Sequence, residues 1–345
     1  MHETDARLAL IRDWLTRDLG FSYERLEPAS SDASFRRYFR VFTLRAAYVV
    51  MDAPPDKEDV RPYLEVGALL ESLGAHVPHV HERDVARGLL LLEDLGTTPY
   101  LARLVAAAGP DALYADALRV LADIQVRGVA AARTLAPYDR EVLARELALM
   151  PEWFCRRHLG LAPSAAEEEV LNGAFEFLIS AALAQPQVFV HRDYHSRNLM
   201  VVPERNPGII DFQDALRGPV GYDLVSILKD CYISWPRARV EGWVQGYRSL
   251  LAERGAAVSS PRQFLRDFDL IGVQRHLKVL GIFARLWHRD GKPGYLLDLP
   301  RTLNYVRETC ALYGELAPLG AFLERRALPG LAPANALAAA EAVRA

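Results

Sequence analysis

Three short apolar runs, Val188-Phe189-Val190, Leu199-Met200-Val201-Val202 and Gly208-Ile209-Ile210, break a sequence that otherwise reads as helix from Gly96 onward. Isolated β segments in a helical background have to pair, which makes loops of the polar stretches between them. The first of those stretches is His191-Arg192-Asp193-Tyr194-His195-Ser196-Arg197-Asn198, and the third run leads into Asp211-Phe212. An Asp five residues before an Asn can take a hydroxyl proton while the Asn faces a metal ion. A second Asp after the next strand completes the metal site. His-x-Asp with a nearby Asn is, taken alone, equally a surface turn closed by Asx hydrogen bonds. The flanking strands and the second Asp shift the reading to phosphoryl transfer.

The rest of the chain supplies two lobes. Residues 35–43, 48–52, 77–83 and 88–94 read as strands. A helix after Ala53-Pro54-Pro55-Asp56 carries Tyr63, Val66, Leu69, Leu70 and Leu73 on one face. A first helix, capped by Thr4, bears Leu8, Ile11, Trp14 and Leu15. Helices are expected at 98–108, at 111–127 and from about Gly221 to the C-terminus. Residues 1–94 therefore form a small β-rich nucleotide-binding lobe, and 95–330 a larger, mainly helical lobe with the catalytic loop and substrate site. The Ala-rich tail, 331–345, is either a docked helix or frayed.

Composition narrows the function classes. A length of 345 residues exceeds the usual single core, and 51% hydrophobic residues can fill two. Net charge is -3, which leaves no electrostatic footprint for nucleic acid. Three dispersed cysteines, Cys155, Cys231 and Cys310, suit reduced thiols, and no window reaches the length of a membrane span. With Glu3 and Asp5 where a leader would be basic and then apolar, a cytoplasmic protein without membrane association is expected. No protein partner is indicated.

Phosphoryl transfer asks a protein to position a hydroxyl and to neutralise phosphate charge. Asp193 is the candidate base. Asn198 and Asp211 offer the hard oxygens that Mg²⁺ prefers, and His191 would support the loop. Glu93-Asp94-Leu95-Gly96 stands where the β-rich part passes into the helical part, so Glu93 and Leu95 either meet a nucleotide base or form a polar turn. Asp223 can tie the catalytic loop through backbone hydrogen bonds. Asp214 and His195 are candidates for substrate contact, with Asp214 equally able to solvate the loop.

Ser30-Ser31-Asp32-Ala33-Ser34-Phe35-Arg36-Arg37-Tyr38-Phe39-Arg40 occupies the place of a phosphate-covering loop but lacks glycine. Along a strand Arg36 and Arg40 share a face with Tyr38, and Arg37 points the other way. Ser34, Arg36 and Arg40 either hold phosphates or belong to an exposed strand. His76, His79 and His81 lack the partners of a metal site and read as a solvated strand. Trp153 and Arg156, like Gln274, Arg275, His276, Lys278 and Trp287, suit a sugar ring and an anion, or else core plus solvated face.

These residues resemble the aminoglycoside phosphotransferase and choline kinase-like family, over roughly 30–313. The carriers are His191, Asp193 and Asn198, then Asp211, then Gly221-Tyr222-Asp223. The run Ser31 to Arg40, with Val49-Val50-Met51-Asp52-Ala53-Pro54 and Gln274-Arg275-His276-Leu277-Lys278, is similar to the anomeric kinases of N-acetylmuramate and N-acetylglucosamine. The resemblance implies an α+β, bilobal protein-kinase-like fold, with ATP and Mg²⁺ as cofactors. It implies an amino sugar phosphorylated at its anomeric hydroxyl during peptidoglycan recycling. One departure stands out: kinases of this fold carry a Lys on the third strand, paired with a Glu on the next helix, and Met51 or its neighbours hold that strand here. Glu65 is then expected to pair with an Arg of the preceding strand. Kinases of other hydroxylated metabolites or of aminoglycosides are the alternative, as is a nucleotide-binding regulator without turnover.

Overall fold

The computed structural model describes residues 5–31, 35–106 and 109–344. They form two compact units, one of residues up to Arg103 with Arg197–Asp214, the other of Leu104–Ser196 with Ala215–Ala345.

The first unit opens with α1 (Ala6–Asp13) and a π-helical turn, Trp14–Asp18. Its cap is Asp5, whose side chain accepts from the Arg7 and Leu8 N–H groups; the Thr4 expected there lies outside the described residues. The sheet runs β1 (Arg25–Ser31), β2 (Arg37–Phe42), β3 (Ala47–Asp52), β4 (Val80–Asp84) and β5 (Leu89–Glu93). Its order is β1-β2-β3-β5-β4 and all its pairs are antiparallel. Alternation along β2 sends Phe39 and Val41 to the face covered by Ile11, Trp14 and Leu15, where Val50, Leu89 and Leu91 complete the core. Tyr38 and Arg40 are left for the opposite face. There β2 pairs Tyr38 with Met51 and Arg40 with Val49, so β3 presents no cation beside them.

Between β3 and β4 comes α2 (Arg61–Ser72), which buries Tyr63, Val66 and Leu70, and past β5 lies α3 (Tyr100–Ala106). The second unit begins with α4 (Asp111–Arg127), which buries the expected stripe of Tyr114, Ala117, Leu118, Leu121 and Ile124. After it come α5 (Arg140–Leu147), a π-helical segment Met150–His158, and α6 (Ala165–Ala184), which starts with a capping box of Ser164 and Glu167.

Four short strands follow: β6 (Gln187–Val190), β7 (Leu199–Met200), β8 (Gly208–Ile209) and β9 (Leu216–Pro219). In the second unit β6 pairs with β9; in the first, β7 pairs with β8. Helices then continue as α7 (Gly221–Leu228), α8 (Arg237–Glu253), α9 (Pro261–His288), α10 (Leu299–Cys310), α11 (Ala317–Phe322) and α12 (Leu328–Arg344). The Ala-rich tail is thus a helix, and it docks: Leu331 and Ala338 are buried, and the Asn335 side chain meets His158 at 2.8 Å.

The centre of the second unit is α9, whose 28 residues span about 42 Å. It packs at close quarters on the segment before Met150, because a Cβ on Gly281 would stand 2.4 Å from the Leu149 carbonyl carbon. Its middle is buried on every side and yet contains Asp269, Gln274, Arg275, His276 and Lys278. Buried charges persist when they are paired. Asp269 takes Lys229 at 3.0 Å and both guanidinium nitrogens of Arg237 at 2.6 Å. Among the described residues no helix is long and apolar enough to cross a membrane.

Candidate active site

The first unit builds the metal and nucleotide candidates. β7 and β8 pair Leu199 with Ile209, and the Ile210 N–H donates to the Asn198 carbonyl at 3.1 Å. This ladder brings Asn198, just before β7, level with Asp211, just after β8. The Asn198 amide donates to Asp211 Oδ2 at 3.1 Å. On Asp211 Oδ1 converge the Gln213 amide at 2.9 Å and the Arg36 guanidinium at 3.7 Å. Asp211 has φ +63, a left-handed conformation that Asp tolerates better than most residues. Phe212 behind it is buried against Tyr63, ring centroids 4.6 Å apart.

Asn198 and Asp211 border a cavity of about 520 Å³ that also reaches Tyr38, Arg40 and the segment Leu92 to Thr97. Its apolar lining includes Leu95, Met200 and Ile210, which pack together with the buried Val202. Leu95 therefore gives the cavity an apolar wall. Glu93 also lines the cavity, and its carboxylate holds His76 at 3.1 Å and the His79 N–H at 3.2 Å. His79 also meets Glu71 at 3.2 Å, so these histidines spend their polarity on carboxylates.

The arginines of β2 and its approach divide their work. Arg37 binds Asp52, buried on the far face, and Asp5. Arg40 is held by Asp94 through two bonds of 2.6 and 3.0 Å, which neutralises it. Arg36 faces Asp211, its guanidinium 3.7 Å from Oδ1. The expected pairing of Glu65 with an arginine is not built: Glu65 is exposed and, among the described residues, forms no ion pair. The reason is helical geometry, since Tyr63 and Val66 face inward and a residue between them points out. Ser34 lies outside the described residues, and Asp214 is exposed.

The second unit holds the loop that carries Asp193. Asp223 receives the His191 N–H at 2.6 Å and the Arg192 N–H at 3.0 Å, as its place after Gly221 suggests. Burial pushes the Asp223 carboxyl up to about 7; the two N–H donors and Arg275 pull it down, and Asp193 adds to the rise. The Asp193 N–H donates to His191 Nδ1 at 3.2 Å. Tyr194 donates to the Ala117 carbonyl at 2.9 Å, and the Ser196 N–H to Asp230 at 3.0 Å. His195 packs edge-on to Tyr232 at 5.5 Å.

Arg192 has φ +76, a conformation that costs a bulky residue about 1–3 kcal/mol. Its side chain reaches Glu146 at 2.7 Å, and Glu146 also takes Lys278 at 2.9 Å and the Tyr138 hydroxyl. Together with the two bonds to Asp223, at roughly 1–3 kcal/mol each, these contacts exceed the strain. Glu146 was invisible as a site residue in the sequence, because a Glu in an amphipathic helix reads as solvent-facing. Burial raises its carboxyl, but Lys278, Arg192 and Tyr138 bring it below its ordinary value.

Asp193 is half-buried. Burial pushes its carboxyl up, and His195, Lys278, Arg275 and Arg192 together hold it below the ordinary carboxylate value, so it is ionised at neutral pH. Trp153 and Arg156 are engaged elsewhere: Arg157 stacks on Trp153 at 4.1 Å, and Arg156 meets Glu168 at 2.8 Å. The three cysteines are buried free thiols, and burial pushes Cys155 and Cys310 up to about 12, which makes them poor nucleophiles.

Residues 25–260 match the model of the phosphotransferase enzyme family. A Pseudomonas putida protein named N-acetylmuramate/N-acetylglucosamine kinase is 46% identical over 331 residues, covering 93% of this chain and 96% of that one. A protein of the same name from Neisseria meningitidis is 41% identical over 321 residues, covering 91% and 94%. Among solved structures, a choline kinase from Streptococcus pneumoniae superposes with a TM-score of 0.60 at 16% identity, covering 89% of this chain and 100% of that one. That likeness shows the protein-kinase-like fold, with its five-stranded antiparallel sheet and mainly helical remainder.

Proposed function

The chain belongs to the phosphotransferase enzyme family, and from that premise we propose that it is an ATP-dependent kinase of N-acetylmuramate and N-acetylglucosamine, acting on the anomeric hydroxyl. The observation that carries the kinase reading is the meeting of Asn198 and Asp211 at 3.1 Å on the border of a cavity with an apolar side at Leu95. The amino-sugar reading rests on the names of relatives that match over nearly their whole length.

The donor set fits a divalent cation. An amide oxygen and a carboxylate are hard ligands, and the cationic Arg36 already lies against Asp211. Asn198 and Asp211 would hold Mg²⁺, which supplies neutralisation of charge on the transferring phosphoryl group. Asp193 orients the sugar hydroxyl and accepts its proton as the oxygen takes the γ-phosphoryl group and ADP leaves. Little basicity is needed for this, because the transition state of phosphoryl transfer is loose. A carboxylate held below its ordinary value is a weak base, and it suits the anomeric hydroxyl, the most acidic hydroxyl of a reducing sugar. Arg36, 3.7 Å from Asp211, balances phosphate charge in the role that the absent third-strand Lys leaves open.

Purified protein with ATP and Mg²⁺ is expected to release ADP on addition of N-acetylmuramate or N-acetylglucosamine, and not on addition of choline or an aminoglycoside. ADP release with neither amino sugar would overturn the substrate reading and leave the family membership standing.

A further inference from the structure

Arg275, in the middle of α9, is 4% exposed; its guanidinium lies 6.0 Å from the centre of the Tyr222 ring but lacks the carboxylate that a buried cation normally has. Lys229 and Lys278, comparably buried, each have a carboxylate at 3.0 and 2.9 Å. Among the described residues Arg275 makes no ion pair, and its one hydrogen bond is to Cys231 Sγ at 3.6 Å, a weak acceptor. Its Nε is sealed from solvent without a partner. Of the two carboxylates whose charge it feels, Asp193 acts on it more strongly than Asp230, neither forms an ion pair with it, and Asp230 already takes the Ser196 N–H and the Tyr232 N–H, each at 3.0 Å. A guanidinium so buried is strongly unfavourable unless an anion completes it. It nevertheless stays charged. Burial pulls its pKa down, but Cys231, Tyr222, Asp193 and Asp230 raise it above the ordinary arginine value.

The surroundings indicate which anion. Cys231, the residue that Arg275 touches, precedes Tyr232, a half-buried ring that packs edge-on to His195 and lies 6.1 Å from Phe283. His195 is two residues from Asp193. A guanidinium and aromatic rings next to a proton acceptor make a site for a sugar that carries a carboxylate. N-acetylmuramate has such a group, its lactyl ether, and N-acetylglucosamine has a hydroxyl in the same position.

We propose that Arg275 receives the lactyl carboxylate of N-acetylmuramate, with Tyr232 and His195 flanking the sugar ring. This inference rests on the amino-sugar reading above. It makes Arg275 the residue by which the enzyme tells its two acceptors apart.

The test compares kcat/KM for three acceptors: N-acetylmuramate, its methyl ester and N-acetylglucosamine. The wild-type enzyme is expected to favour the free acid over the ester by on the order of 10- to 100-fold, mostly through KM, as for loss of a charge-assisted hydrogen bond. In Arg275→Gln that preference collapses towards unity. The ester and N-acetylglucosamine lose activity by one common factor, because the field of Arg275 on Asp193 acts on every acceptor alike. Arg275→Lys, which keeps the charge without the fork, is expected to retain part of the preference. An equal loss for all three acceptors in Arg275→Gln would overturn the assignment and reduce Arg275 to support of Asp193. Should that variant fail to fold, the wild-type ratio decides, since equal use of acid and ester would also overturn it. Turnover of none of the three would instead defeat the amino-sugar reading, and this proposal with it.

Discussion

Asp193→Asn is expected to lower kcat by on the order of 10²-fold or more with the fold intact. The substitution keeps the size of the side chain and leaves the backbone bond from residue 193 to His191 in place. What it removes is the proton acceptor. Its effect has a pH signature that separates chemistry from structural damage. Burial raises the Asp193 carboxyl, and His195, Lys278, Arg275 and Arg192 outweigh it, so the active, ionised form persists to below the ordinary carboxylate value. The deficit of the variant should therefore be constant through the neutral range and shrink only at acid pH, where the wild-type carboxylate is itself protonated. Steady-state kinetics across pH, with circular dichroism as the check on folding, measures both. Turnover near the wild-type rate would remove Asp193 from its role.

Asp211→Asn is expected to abolish the dependence of nucleotide binding on Mg²⁺. Asn is the appropriate replacement because position 211 has φ +63, which Asn adopts at little cost and most other residues do not. A loss confined to the carboxylate charge can then be read without a backbone change. Disturbing outer-shell partners of a metal site costs roughly 10- to 100-fold in metal affinity, and loss of a charged ligand should cost at least that. Calorimetric titration with ATP, with and without Mg²⁺, is expected to give the same weak affinity in the variant and different affinities in the wild type. Unchanged enhancement by Mg²⁺ would exclude Asp211 as a ligand.

What could be read from the sequence depended on whether a residue's environment was local. The apolar runs that flank the motif, and the stripes of α2 and α4, predict their own burial. Asp223 was legible because a carboxylate at the start of α7, soon after the loop strands, has few other employments. β1 and β9 escaped notice, since Arg25–Ser31 contains Pro28 and Leu216–Pro219 contains Gly218, and both are strands by virtue of their partners β2 and β6.

The charged interior of the second unit is less legible. Arg275 and Lys278 read either as suited to a sugar and an anion or as core plus solvated face, and nothing in their neighbourhood along the chain names Glu146 or Cys231 as what they meet. Long-range pairing of buried charges has no periodic signature. The pairing expected of Glu65 fails for the opposite reason: the stripe of α2 turns position 65 outward. Arg36, one of several arginines in the same segment, stands out only once the β7–β8 ladder brings Asp211 to it.

The proposed activity is defined by where one phosphoryl group goes. Wild-type enzyme, ATP, Mg²⁺ and N-acetylglucosamine, followed by ³¹P NMR and a reducing-end assay of the product, measures this directly. The prediction is one phosphorylated sugar per ADP, with its reducing end lost because the anomeric oxygen carries the phosphate. A phosphorylated sugar that still reduces, or ADP formed without any phosphorylated sugar, would contradict it.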